Sequence, residues 1–249
     1  MDAARISVLL DPFLGRTLPE VQLQQISMYI NLLLRWNARI NLTALRDPDE
    51  IVTRHFGESF FLARHLFPEP SVARTLLSAW PKDPTHPPQS ETASRPLPPD
   101  PEQPGHGLSE ADVEPTVLDI GSGAGFPGLP LKLWAPAISL TLVESNHKKA
   151  AFLREVIRTL ILTSVNVIAD RAETLATTNA ADIVTLRAVE RFDAILPVAA
   201  RLVSPSGRLA LLVGSSQLPA VQTLAPDFRT AATRPVPQSK SRVLSIMVR

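Results

Sequence analysis

The 249-residue chain contains no cysteine. Disulfides, thiolate metal sites and a cysteine nucleophile are therefore excluded, and no metal is expected. There is no run of 18 apolar residues, so no membrane span is expected. The first residues, Met1-Asp2-Ala3-Ala4-Arg5, carry an acid and lack a secretory pattern. The expectation is a soluble, cytoplasmic, monomeric protein. An excess of charge is lacking too: 25 basic residues against 24 acids leave a formal net of +1. By itself that total argues for no polyanionic partner. The distribution says more. Residues 81–115 hold seven acids against Lys82 and Arg95, leaving 23 basic and 17 acidic residues elsewhere, a net of +6. The last stretch, Arg229 to Arg249, has five basic residues and no acid, a modest electrostatic footprint for nucleic acid. Residues 81–115 also hold ten of the 24 prolines and almost no large apolar side chain. Such a segment cannot bury enough to offset its ordering entropy. It reads as a disordered, acidic insertion between a helical segment, 1–80, and a core, 116–249.

What is present centres on Thr116 to Gly128. Val117 to Ile120 reads as a buried strand, followed by Gly121, Gly123, Gly125 and Gly128. A strand that runs into bare backbone and then a helix is how open α/β sheets build nucleotide-type sites. Two cofactor readings compete. Gly123-x-Gly125-x-x-Gly128 has dinucleotide-binding spacing, but a fingerprint starting at the strand's end, Gly121, fails at its third position, Phe126. Asp119-x-Gly121-x-Gly123 is similar to motif I of S-adenosylmethionine (SAM)-dependent methyltransferases. A carboxylate there repels pyrophosphate and tolerates a cationic sulfonium. Glu144, about 20 residues on at the end of the next strand, can accept two hydrogen bonds from a ribose diol.

The rest of the chain supports an α/β fold. Pro19 to Leu34 has helical spacing, with Val21, Leu23, Ile26, Ile30, Leu33 and Leu34 inward and Thr17 with Glu20 as a capping box. Met28 and Tyr29 read as packing. Asp47-Pro48-Asp49-Glu50 reads as the start of a second helix, on which His55 reads as a hydrogen-bonded core histidine. Strands are expected at Ser139 to Glu144, Val165 to Ala169, Asp182 to Leu186, Gly207 to Val213, Phe228 to Val236 and Arg242 to Val248. Helices are expected at His147 to Leu160, Phe192 to Val203 and Gln217 to Leu224. The alternation predicts a mostly parallel sheet with helices on both faces and an antiparallel hairpin at one edge. Lys148 and Lys149 are as well placed for a solvated helix face as for a polyanionic ligand. Arg187 has a structural alternative, an ion pair with Glu190 or Asp182.

Several blocks resemble one family. They are Trp36-Asn37-x-x-Ile40-Asn41-Leu42-Thr43, Arg46-Asp47-Pro48, Arg54-His55-x-x-Glu58-Ser59, Asp119 to Leu131, Glu144-Ser145, Lys148-Lys149 and Phe152-Leu153-Arg154. The chain is identified as a member of the bacterial 16S ribosomal RNA guanine-N7 methyltransferases, the RsmG/GidB family. The resemblance covers nearly everything except residues 67–115. It implies a class I, Rossmann-like methyltransferase fold with a seven-stranded, mostly parallel sheet and an N-terminal helical extension. It implies SAM as cofactor and the 16S rRNA of the small ribosomal subunit, or its precursor, as partner. Gly121, Gly123 and Phe126 would line the SAM pocket. Glu144 would take the ribose, and the backbone of Ala172 and Glu173 the adenine. Arg187 would lie near the methionine end, as the one candidate for positioning the reaction. Two departures stand out: Leu186 where the family often has Ser, and Val213 where many members have Lys.

Overall fold

The computed structural model describes residues 1–68, 114–177, 180–189 and 191–249. The predicted insertion therefore lies almost wholly outside the described residues, as does Glu190.

The N-terminal part is helical. A first helix, α1 (Ala3–Leu14), buries Ile6, Leu10, Phe13 and Leu14. Asp2 caps it by accepting the Arg5 N–H at 2.7 Å, and Gly15 ends it at φ 71°. The sequence reading did not contain this helix. In α2 (Glu20–Asn37) the buried stripe is Leu23, Ile26, Tyr29, Ile30, Leu32, Leu33 and Asn37. No side chain caps it, so the capping box expected of Thr17 does not form. Val21 and Met28 are 39% and 44% exposed, so neither packs as expected. Asp47 does cap the next helical run, accepting the Glu50 N–H at 2.9 Å. That run begins with one turn, α3 (Pro48–Glu50), widens into a π-helical stretch at Ile51–Gly57, and continues as α4 (Glu58–Leu66). Gly57 sits where α1 presses closest: a Cβ there would lie 2.7 Å from the Phe13 ring.

The sheet has seven strands: β1 (Thr116–Ile120), β2 (Ser139–Val143), β3 (Val165–Ile168), β4 (Ala181–Arg187), β5 (Val203–Gly214), β6 (Arg229–Pro235) and β7 (Arg242–Val248). Their order is β3-β2-β1-β4-β5-β7-β6. The first five in that order run parallel, and β7 runs antiparallel to both of its neighbours. Helices α5 (Gly128–Trp134), α6 (His147–Thr159), α7 (Phe192–Arg201) and α8 (Leu218–Leu224) connect them. β5 starts four residues earlier than expected.

Strand alternation sorts the apolar residues into two cores. On β5, Ala210 and Leu212 join Val117, α5, α6 and the N-terminal helices on one face. Leu209, Leu211 and Val213 join Leu118, Ile120, α7 and α8 on the other. The described residues up to 68 and from 115 onward form a single compact unit. No helix among the described residues is long and apolar enough to cross a membrane.

Candidate active site

Because β1 to β4 are parallel, their carboxyl ends share one rim. The strand order reverses between β1 and β4, the place where open α/β sheets leave a crevice. The glycine loop sits there. The N–H groups of Gly121 and Ser122 both reach the Val143 carbonyl, at 2.9 and 3.1 Å, which pins the loop to the end of β2. Gly123 adopts φ +57°, in the left-handed region, and a Cβ there would meet nothing nearer than 3.8 Å. Gly128 is glycine for a different reason. A Cβ at that position would lie 2.5 Å from Leu142 Cδ2 and 2.8 Å from Asp119 Oδ2.

Asp119 is fully buried beneath the loop. Its carboxyl accepts the Gly128 N–H at 3.2 Å and the Thr185 hydroxyl at 2.7 Å. Burial pushes its pKa up to about 6, against those hydrogen bonds. The acid that marks the motif thus holds the loop's shape from behind and does not face a ligand, which corrects the electrostatic role expected of it. Glu144 is the carboxylate on the rim. Its Oε2 accepts the Gly123 N–H at 2.8 Å, and its Oε1 accepts the Asn146 N–H at 2.7 Å. Asn146 in turn caps α6 through the N–H groups of Lys148 and Lys149. One side chain therefore joins the loop after β1 to the turn after β2.

Phe126 is only 5% exposed. Its ring stacks between His55, at 4.7 Å, and Tyr29, at 5.4 Å. The Tyr29 hydroxyl donates to the Ala124 carbonyl. Phe126 thus anchors the loop to the N-terminal helices. Tyr29 is packing, as expected, with a hydrogen bond that the sequence did not signal.

Ala172 and Glu173 form a single 3-10 turn, Ala172–Thr174, after β3. Ala172 is buried. The Glu173 carbonyl accepts from Arg201 at 2.9 Å, and its carboxylate lies 3.8 Å from Arg191.

Arg187 ends β4 and is 9% exposed. It pairs with Glu58, Nη2 to Oε2 at 2.9 Å, and not with Asp182, which binds Thr116. Its Nη2 also donates to the Arg54 carbonyl at 2.6 Å and to His55 Nδ1 at 3.1 Å. An arginine has no acceptor, so His55 Nδ1 accepts. The neutral ring therefore carries its proton on Nε2, which faces Thr43 Oγ1 at 2.7 Å. Burial, then the charges of Arg187, Arg54 and Arg242, drive the His55 pKa down to about 2. His55 is the hydrogen-bonded core histidine the sequence suggested.

Glu58 was visible only as a letter in a motif, and Arg242 only as part of a basic tail; a pairing 129 residues apart leaves no local trace. Leu186 and Val213 are both buried in the second core, so neither side chain reaches the rim. A separate open groove between α6 and β3, flanked by Arg154, Ile157, Arg158 and Leu162, is lined by none of the predicted residues.

The family model for rRNA small subunit methyltransferase G matches residues 22–72 and 106–239. The chain belongs to this family. Among curated members of the methyltransferase G family, the protein of Xylella fastidiosa (strain 9a5c) is 32% identical over 208 residues, which is 84% of this chain and 76% of that protein. The one from Chloroflexus aggregans is 35% identical over 199 residues, covering 78% and 65% of the two chains. Among solved structures, a SAM-dependent methyltransferase from Aquifex aeolicus aligns with TM-score 0.46 and 18% identity, over 54% of this chain and 82% of that one. The methyltransferase G match spans both the helical block that carries Tyr29, His55 and Glu58 and the glycine-loop core that they brace.

Proposed function

We propose that the chain transfers a methyl group from SAM to N7 of one guanine in 16S rRNA, within the small subunit or its precursor, in the cytoplasm. The observation that carries this reading is the Glu144 carboxylate, seated 2.8 Å from the Gly123 nitrogen at the end of β2. Each of its oxygens accepts one backbone N–H, and a carboxylate has about four acceptor sites, so lone pairs remain for a ribose diol. The open space at Gly123 leaves room for a ligand against bare backbone. The cofactor supplies an activated methyl on a sulfonium. The chain binds and orients: Glu144 the ribose, the Ala172–Glu173 turn the adenine, and the backbone at the end of β4 the methionine portion.

Guanine N7 carries a free lone pair, so its methylation requires no proton to be removed. The buried groups near the rim are in keeping with that. Asp119, His55 and Glu58 are each engaged in internal hydrogen bonds. Catalysis is then positioning, for which effective molarities can reach about 10⁵ M or more. The target guanine must be unpaired or turned out of its helix for its edge to be reached.

The test is incubation of the purified protein with radiolabelled SAM and 16S RNA or 30S particles from cells lacking the enzyme. Label should appear at one guanine whose backbone becomes cleavable after borohydride and aniline. Label on another base or position, or binding of NAD at least as tight as of SAM, would reject the reading.

A further inference from the structure

Two guanidinium groups converge on one buried carboxylate at the rim. Arg187 gives Nε and Nη2 to Glu58 Oε2, at 3.3 and 2.9 Å. Arg242 brings its Nε to 3.4 Å from Glu58 Oε1. Arg242 opens β7 in register with Gly214, the last residue of β5, so it stands on the same rim as the ends of the parallel strands.

The pair is not used up by the protein. Among the described residues no acceptor binds Arg187 Nη1 or either Nη of Arg242. Arg187 Nη1 is also not a sealed orphan; the buried unpartnered nitrogen among the described residues is Arg16 Nε. The Arg187 side chain itself is 7% exposed. The Arg242 side chain is 26% exposed. Arg54 adds a third positive charge close enough to bear on His55, which is itself neutral. Three arginines against Glu58 and Asp119 leave the cluster cationic. Fixed guanidinium forks of this kind match the oxygens of a carboxylate or phosphate.

Position decides between those two ligands. Arg242 is rooted three strands from β1, in the order β1-β4-β5-β7. At about 4.8 Å per strand that is about 14 Å from the loop and further still from Glu144. The Arg187 guanidinium lies 6.0 Å from the Phe126 ring of the glycine loop, so Arg242 is the arm of the pair that stands further from the cofactor's place over β1 and β2, on the acceptor's side.

We propose that Arg187 and Arg242 form an anion clamp for a phosphodiester of the RNA strand that carries the target base, with Glu58 as the positioning residue that holds both. This rests on the rRNA-methyltransferase reading.

The test measures 16S RNA affinity against salt concentration, without turnover, alongside SAM affinity by calorimetry. Arg242→Ala is expected to weaken RNA binding about 3- to 10-fold at low salt and to reduce the slope of log affinity against log salt by about one, with SAM affinity unchanged. Glu58→Gln, with its melting temperature checked, is expected to weaken RNA binding in the same way, and Glu58→Asp to recover it. RNA affinity and slope unchanged in Arg242→Ala would overturn the clamp. So would a loss of SAM affinity with RNA binding intact, which would assign the arginines to the cofactor's carboxylate. A parent protein that binds RNA but transfers no methyl group would instead reject the functional reading and leave the slope measurement standing.

Discussion

Glu144→Gln is the sharpest single perturbation of the proposed cofactor site. In the parent, the two carboxylate oxygens face two backbone donors, Gly123 N–H at 2.8 Å and Asn146 N–H at 2.7 Å. Glutamine keeps the shape but replaces one oxygen with an NH₂. Whichever way the amide turns, a donor then faces a donor. One N–H at a largely buried site loses its partner, and the charged acceptor for a ribose diol is gone. A hydrogen bond to a charged group contributes about 1.5–3 kcal/mol. At about 1.4 kcal/mol per decade, SAM affinity should fall about 10- to 150-fold. The loop and the turn into α6 also lose their common tether, so the melting temperature should drop by about 3–12 °C. Calorimetry with SAM and a thermal melt on the same samples separate the two effects. A lowered melting temperature with unchanged SAM affinity would show Glu144 to be structural and refute its assignment as a cofactor contact. No change in either would refute the hydrogen-bond argument itself.

Other perturbations test the rest of the site. Gly123→Val places a β-branched residue at φ +57° in otherwise open space, so the cost is backbone strain of about 1–3 kcal/mol; SAM binding should vanish in calorimetry while circular dichroism stays native. Gly128→Ala drives a methyl group into Leu142 and Asp119, so its melting temperature should fall more than that of Gly123→Ala, and the reverse order would contradict the packing described. His55 titrates normally near 6.5 when unfolded and only at about 2 when folded, so the native state resists its protonation. Its contribution is present above pH 6.5 and is lost as pH falls from there. Denaturation curves should show the parent losing up to about 1.4 kcal/mol per pH unit relative to His55→Gln below pH 6.5; parallel curves would mean that His55 is not held neutral. Asp119 acts in the opposite sense, its raised pKa giving stability below about pH 4 that is lost as pH rises through about 6, so only the difference between parent and variant isolates His55.

The sheet was legible because each strand carries its own local signal. Val117 to Ile120, Leu140 to Val143 and Arg242 to Val248 are short apolar runs with clear breaks, and they alternate with amphipathic helices. The glycine loop was legible because bare backbone at a strand's end has few other uses. The failures have a common origin in partners that are remote in sequence. Val21 and Met28 fit a helical period as well as Leu23 and Ile26 do, and only the position of the sheet decides which stripe turns inward. The π-helical widening at Ile51–Gly57 leaves no periodic mark. Asp119 was correctly noticed for the wrong reason, because an acid behind a loop and an acid facing a ligand are written identically. The structural alternative for Arg187 was an ion pair with Asp182 or Glu190; Asp182 binds Thr116 instead, and the partner of Arg187 came from α4.

The stack of His55, Phe126 and Tyr29 has a consequence for how this chain can be assembled. A loop that belongs by connectivity to the second half is braced by rings supplied by the first. The two halves share one core through side chains, whatever covalent path joins them. Residues 1–68 and 114–249, expressed as separate polypeptides, should therefore reconstitute by complementation. The SAM site should then appear only on mixing, since neither fragment alone carries both the loop and the rings that brace it.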